Sequence, residues 1–187
     1  MPQTANKTHR MVKVAMIAAI YTVLTLVIAP VAFGAIQFRV SEVLTILPAF
    51  TPLAIPGLTL GCALSNLIGA LLGINPTGYI DALIGTSATL IASVLSYMIG
   101  KSSKPWVRYV FVPLPPILAN ALIVGAEITV LFNAKEAFMV AFAANAVSVG
   151  VGELVVCYVL GIPLMVVLSK NNLYKKIGLT SADNKLG

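Results

Sequence analysis

Five long apolar runs, separated by short polar breaks, limit what this chain can fold into. The runs cover about residues 12–33, 53–73, 79–100, 112–132 and 137–169. Each run is long enough to cross about 30 Å of hydrocarbon as a helix. The breaks hold the Gly, Pro and Asn residues that interrupt helices: GINPTGY at 73–79, KSSKPWVR at 101–108 and NAKE at 133–136. The pattern predicts an all-α integral membrane protein.

The composition leaves room for a membrane domain and two short tails. The chain of 187 residues is 59% hydrophobic and 10% charged, whereas soluble domains are about a quarter charged. We expect a cytoplasmic N-terminal tail over 1–11, a membrane domain over 12–169 and a cytoplasmic C-terminal tail over 170–187. A cleavable signal peptide is the alternative for the first run, but about 20 apolar residues exceed the usual signal core.

A short apolar segment from Ser41 to Phe50 decides the number of spans. Its ten residues, with Pro48 near the end, also suit a re-entrant segment. If the segment crosses, ten basic residues share one side and two, Arg39 and Lys135, the other. If it does not cross, the positive-inside rule fails. We therefore expect six transmembrane helices with a short second helix and both termini in the cytoplasm of a cell membrane, where Trp106 lies at the inner interface. The concentration of basic residues on one membrane face also argues against nucleic acid as a partner.

Polar residues inside the spans gather at one depth. Ionisable side chains in hydrocarbon cost at least ~2.5–3.5 kcal/mol, so they face protein or a water-filled cavity. We predict an outward-facing cup for a solute. Its proposed lining comprises Asn66, Asp81, Glu127, Asn145 and Glu153, with Arg39 and Glu42 at the mouth and Tyr79 at the outer end of the helix that carries Asp81.

Simpler roles exist for most of these residues. Arg39 and Glu42 suit an interfacial ion pair at a helix start. Asp81 suits a helix cap, and Asn66 and Asn145 suit hydrogen bonds between helices without a ligand. Glu153 suits a protonated structural role. Glu127 is hardest to explain this way, because its helix carries no cation.

The first span carries a small-residue face in KVAMIAAIY. Ala15 and Ala19 are four residues apart with Ala18 beside them, which permits close approach of another helix, from a partner or from this chain. The sequence lacks HExxH, GxSxG and a complete Walker A motif. We therefore predict neither an enzyme nor a cofactor site, and any energy for active transport must come from a partner or an ion gradient.

The string IQFRVSEVLTILPAFTPLAIPGLTLGCALSNLIG, with GYIDALIGTSATLIASVLSY further on, closely resembles the queuosine-precursor transporter (QueT-like) family over about residues 11–170. Members are substrate-binding S components of energy-coupling factor (ECF) transporters. The resemblance implies six helices and an outer solute site. It also implies docking through first-helix alanines, here Ala15, Ala18 and Ala19, on a transmembrane coupling protein with two ATPase subunits, followed by toppling in the bilayer.

The family name implies a 7-deazaguanine, either queuine or a precursor. Glu127 would accept the ring N–H and exocyclic amine, Asn66 or Asn145 would bond the carbonyl, and Phe38 or Tyr79 would stack on the ring. A cationic precursor would favour Asp81 or Glu42. An S component for another vitamin such as cobalamin, and a stand-alone small-solute carrier, remain open alternatives.

Overall fold

The computed structural model describes residues 2–34, 37–133, 137–176 and 178–179, with the side chains of all of these except residues 2–6 and 171. Over this part of the chain every regular element is a helix and no strand occurs. The α-helices are α1 Pro2–Val27, α2 Ala29–Ala32, α3 Ala54–Leu71, α4 Tyr79–Gly100, α5 Pro105–Phe111, α6 Leu114–Ala119, α7 Gly125–Phe132, α8 Phe138–Leu154, α9 Gly161–Ser169 and α10 Leu173–Lys176. The predicted all-α class is confirmed.

Five helical stretches of the described residues are long and apolar enough to cross a membrane. They are Lys7–Val27, Ala54–Leu71, Tyr79–Gly100, Pro105–Phe132 and Phe138–Ser169. Two boundaries differ from the sequence prediction. The first run breaks after Val27, where Pro30 in the first turn of α2 starts a new helix. The fourth stretch begins inside the predicted break at 101–108, because Pro105 is well suited to a first helical turn.

One π-helical segment interrupts each of the last two spans. Asn120–Val124 joins α6 to α7, and Val155–Leu160 joins α8 to α9. Such wide turns are rare and often accompany functional residues. Here they adjoin the buried side chains of Asn120, Glu153 and Cys157.

The short segment forms a 3-10 helix, Val40–Ala49, with Pro48 inside it. A 3-10 helix rises about 2.0 Å per residue, so ten residues cover roughly 20 Å, against about 15 Å for an α-helix. Residues 37–39 before it have no regular structure. This stretched geometry lengthens a short segment, and together with the five long helices it is roughly consistent with the predicted count of six.

The bundle has two distinct ends. The loop end comprises residues 28–34, 37–39 and 72–78, and the tail end comprises residues 50–53, 101–104 and 170–176. At the loop end, the Phe33 ring packs close to Gly69. At the tail end, Phe50 and Tyr174 have ring centroids 5.2 Å apart, and Lys13 Nζ donates a hydrogen bond to Gly178 O. Helix α1 and the residues that follow α10 therefore meet at this end. Lys135 and Lys185, which entered the charge count, lie outside the described residues.

The tail half of the bundle holds the main apolar core. Its largest members include Tyr21, Ile46, Phe50, Leu58 and Met165, all at most 1% exposed. Helix α1 crosses α3 closely: a Cβ on Gly61 would lie 2.7 Å from Tyr21 Cβ and 2.9 Å from Ala18 O. Ala18 is thus part of packing within the chain.

Candidate functional site

An ion pair is buried where the 3-10 helix and α4 begin. Arg39 Nη2 lies 3.3 Å from Asp81 Oδ2, and both side chains are 1% exposed. Arg39 directly precedes the 3-10 helix, and Asp81 lies in the first turn of α4. Gly78, with φ of 64°, makes the left-handed turn that starts α4. The sequence suggested a partner for Arg39 in Glu42, but the structure pairs it with Asp81.

Two amides surround this ion pair. Asn75 Nδ2 donates to Asp81 Oδ2 at 3.0 Å, and Asn66 Nδ2 donates to the Asp81 main-chain oxygen at 2.9 Å. Asp81 makes no side-chain cap for α4. The atoms Asp81 Oδ1, Asn66 Oδ1 and Arg39 Nε are buried and have no hydrogen-bond partner among the described residues. Buried polar atoms are normally paired, so this cluster retains unused bonding capacity.

Glu42 lies in the interior, 0% exposed, beside α1. Tyr21 Oη donates a hydrogen bond to Glu42 Oε1, and Thr25 bonds Ser41 with 2.6 Å between their hydroxyl oxygens. We expected Arg39 and Glu42 at the mouth of a cup. The structure places both inside the bundle, because each charged group finds its partner on another buried element.

Glu153 belongs to a second buried polar group. Asn120 Nδ2 donates to Glu153 Oε1 at 2.9 Å, and Cys157 Sγ lies 3.7 Å from Glu153 Oε2. Asn120 is 2% exposed and Glu153 is 1% exposed. Both carboxylate oxygens therefore have protein partners, which is the arrangement of a structural acid rather than of one awaiting a ligand.

Glu127 differs from the other acids. Its side chain is 5% exposed, yet neither carboxylate oxygen has a hydrogen-bond partner in the part of the chain that the structure describes. It lines a groove of about 720 Å³ between α4 and α7 whose other walls, apart from Ser87, are apolar. The carboxylate is also within electrostatic range of Asp81 and Arg39. An unpaired buried acid of this kind is suited to receive hydrogen-bond donors or a cation.

Asn145 lines a separate cavity of about 260 Å³ at the loop end. Its Nδ2 lies 3.0 Å from both Thr129 Oγ1 and Asn133 Oδ1. Gln37, Thr77 and the rings of Phe33 and Phe132 also line this cavity. Phe38 is half-buried and Tyr79 is 58% exposed, and both lie outside this lining.

The structure therefore joins some of the predicted residues and separates others. Arg39, Asp81 and Asn66 form one cluster with Glu127 beside it, Asn145 lies at the cavity, and Glu153 is apart. Sequence reasoning missed Gln37, Asn75 and Thr77, since loop amides and hydroxyls look like ordinary turn residues. The position of Asn75 in the loop before Asp81 was the available signal.

The alanine face of α1 divides in two. Ala15 and Ala19 are exposed, and their neighbours Met16 and Ile20 are 57% and 49% exposed. Ala18 is 2% exposed and faces α3. The exposed part is not covered by the described residues, whereas Ala18 packs within this chain.

These features define a class: a multi-pass helical membrane protein with a polar interior next to a cavity at one end. Within the described residues, no group of three or more His, Cys, Asp and Glu side chains could hold a metal ion.

Comparison with known proteins identifies the family of this chain. The family model described as QueT transporter matches residues 11–170, so the chain belongs to the QueT transporter family. It is 33% identical over 88 residues to the queuosine precursor transporter QueT of Lactococcus lactis subsp. cremoris (strain MG1363). That alignment covers 46% of this chain and 48% of the relative, about half of each. No solved structure matches the chain.

Proposed function

We propose that this protein is the substrate-binding membrane subunit of an ECF-type importer for a queuosine precursor, a 7-deazaguanine. The observation that carries the proposal is the buried, incompletely bonded set of Glu127, Asp81 and Asn66. Family membership supplies the substrate class. The site supplies acceptors for the donors that such a ring carries. A ligand that completes the bonds of buried unpaired groups binds more tightly, because it removes the cost of leaving them unpaired.

The Watson–Crick edge of a 7-deazaguanine has two adjacent donors, the ring N–H and the exocyclic amine, next to a carbonyl. A carboxylate with two open oxygens, as on Glu127, accepts both donors in parallel. The buried Asp81 Oδ1 and Asn66 Oδ1 would accept further donors, including a substituent ammonium. In this scheme the base extends from Glu127 towards the loop-end cavity, which the neighbouring Ile128 lines. There Gln37 bonds the carbonyl with an amide N–H group, and Phe33 or Phe132 contacts the ring face. Asn145 offers only its Oδ1 as an acceptor, because both of its amide hydrogens are donated to Thr129 and Asn133.

Cavity size favours a small heterocycle over a corrinoid. The loop-end cavity of about 260 Å³ has room for roughly nine water molecules at about 30 Å³ each. A bicyclic base is comparable in size, whereas cobalamin is several times larger. We therefore favour the 7-deazaguanine over the vitamin alternative.

Direct binding separates these substrates. Purified full-length protein is titrated with queuine, with its aminomethyl precursor and with cobalamin in the same detergent or nanodisc. We expect saturable binding of at least one 7-deazaguanine and none of cobalamin. Binding of cobalamin alone would overturn the substrate assignment.

We further propose that the exposed Ala15 and Ala19 contact the transmembrane coupling protein, which carries two ATPase subunits, and that both termini are cytoplasmic. Small side chains permit close helix approach in a membrane. Co-purification of ATPase subunits with tagged protein tests this, with Ala19→Trp as the variant. Uptake that persists without any ATPase partner would favour a stand-alone carrier instead.

A further inference from the structure

The surface between α4 and the fifth span carries a groove in the tail half of the bundle. The groove measures about 450 Å³, and its walls include Ile91, Leu95, Ile99, Phe111, Leu114 and Leu118. All of its lining residues are apolar. Leu95 and Leu118 are 43% and 56% exposed, so this face meets the surroundings of the bundle and not its core.

The groove has the length of an acyl chain in one leaflet. From Ile91 to Ile99 the helix rises about 12 Å at ~1.5 Å per residue. One leaflet of hydrocarbon is roughly 15 Å thick, half of the ~30 Å core. A chain of that length fits along the groove parallel to α4.

Three cations stand at the tail end of the same groove. Residues 101–104 connect its two walls, because α4 ends at Gly100 and α5 begins at Pro105. Lys101 and Lys104 lie in this connection, and Arg108 follows in α5, three residues before the groove residue Phe111. Trp106, 59% exposed, is the kind of side chain that lies at a membrane interface.

Among the residues that the structure describes, these cations have no counter-charge. In the described ranges the ion pair found is Arg39 with Asp81, so Lys101, Lys104 and Arg108 have no carboxylate partner there. Lys101 Nζ lies 4.3 Å from the Tyr97 ring centroid, and the Arg108 guanidinium lies 5.6 Å from that of Phe50. Arg108 Nε is buried and makes no hydrogen bond to any described residue. An anion held by this connection would therefore meet cations that no described carboxylate neutralises.

We infer that this groove binds an anionic phospholipid, with one acyl chain against Leu95 and Leu118 and the phosphate at Lys101, Lys104 and Arg108. A soluble phosphate would use the cations and leave the groove empty, and an acidic protein would not need an acyl-length channel. The lipid matches both features at once. The site is separate from Glu127 and Asp81, so it stands or falls independently of the proposed solute.

Native mass spectrometry of the full chain tests the inference, with phosphatidylglycerol and phosphatidylcholine of identical acyl chains as probes. We expect a bound phosphatidylglycerol that survives detergent exchange better than phosphatidylcholine. Lys101→Gln with Lys104→Gln should weaken phosphatidylglycerol about fivefold per lysine removed, since each juxtamembrane cation contributes about 1 kcal/mol. Lys170→Gln, an exposed lysine at the same end, is the matched charge control and should leave binding unchanged.

A second variant tests the groove. Leu118→Trp fills it and should reduce binding of both lipids, whereas Val166→Trp, on an exposed position of α9, should not. Equal binding of the two lipids by the native protein would overturn the inference. So would unchanged binding in Leu118→Trp, or a soluble glycerol phosphate that competes as strongly as the lipid. Selective capture of an acidic protein in place of lipid would also overturn it.

Discussion

The half of the bundle next to the loop end (the loop half) and the half next to the tail end (the tail half) differ in what their buried side chains are and how they are paired. In the tail half, Ile46, Phe50, Leu58 and Met165 fill a dry core at most 1% exposed. In the loop half, Asp81, Asn66 and Glu127 are almost as buried, yet each keeps at least one oxygen without a partner among the described residues. A membrane protein needs a packed region to remain folded, and unused polar groups elsewhere are a cost that a ligand would offset. We read the tail half as scaffold and the loop half as binding site.

Removal of one member of the ion pair between Arg39 and Asp81 should cause the largest loss in the free energy of unfolding. Asp81→Ala leaves the buried Arg39 guanidinium without its carboxylate, and such losses typically cost about 3–5 kcal/mol. The free energy of unfolding in a mixed-micelle denaturation measures it.

A double variant provides the control. Arg39→Met with Asp81→Leu removes both charges and should recover most of that stability, because a buried ion pair exchanged for apolar residues is often neutral. Solute binding should stay lost. A double variant that is as unstable as Asp81→Ala would show that the pair contributes more than mutual neutralisation.

The bond between Tyr21 and Glu42 connects the two halves, since Tyr21 also packs in the apolar core. Tyr21→Phe keeps the packing and removes the donor, and we expect a loss of about 1.5–3 kcal/mol because the acceptor is a buried acid. The same unfolding assay measures it. Tyr158→Phe is the control: its exposed hydroxyl donates to Val110 O at 2.7 Å, so its removal should cost about 0.5–1.5 kcal/mol. Equal losses would contradict the buried role of Glu42.

Close packing of α1 on α3 should be sensitive to one added methyl. Gly61→Ala places a Cβ 2.9 Å from the Ala18 main-chain oxygen, and overpacking of this kind costs about 1–3 kcal/mol. Gly150→Ala is matched in chemistry, but its Cβ would lie 3.4 Å from Ala121 Cβ, an ordinary contact. We expect Gly150→Ala to be neutral or slightly stabilising in thermal unfolding. A destabilised Gly150→Ala with an unaffected Gly61→Ala would refute this picture of the packed half.

Substitution of the exposed alanine Ala19 in α1 should have the smallest effect on stability. It should also separate docking from folding most clearly. Ala19→Trp points away from the bundle, so it should change the unfolding free energy by less than about 0.5 kcal/mol while it reduces co-purification of ATPase subunits. Ala18→Trp should disrupt the fold, because Ala18 is buried against Gly61. Intact assembly in Ala19→Trp would remove this face as the docking surface.

The sequence predicted the helical membrane class because long apolar runs have few alternatives in water or lipid. It also predicted a shared depth for the polar residues, since rise per residue converts position into depth. The structure brings Arg39, Asp81 and Asn66 together but leaves Glu153 in another group. It did not predict that Arg39 pairs with Asp81, which lies 42 residues away in sequence, because such pairings depend on how helices rotate against one another. The same limit explains why the sequence grouped Ala18 with the exposed alanines. Its inward orientation follows from how α1 packs on α3.

The extent of the second span was also beyond the sequence. Ten residues of α-helix are too short to cross, and nothing in SEVLTILPAF announces a 3-10 conformation. Charge counting predicted six passages, and five long helices together with Val40–Ala49 are roughly consistent with that number.

The affinity of two matched acid variants for a 7-deazaguanine tests the central claim most directly. Glu127→Gln replaces an open acceptor by an amide N–H, and it should weaken binding roughly tenfold to a hundredfold, about 1.5–3 kcal/mol. Glu153→Gln alters an acid whose oxygens already have protein partners, so the protein should lose stability but keep its affinity. Queuine binding measured by calorimetry on both variants decides the matter: undiminished binding by Glu127→Gln, or loss confined to Glu153→Gln, would contradict the loop half as the site of recognition.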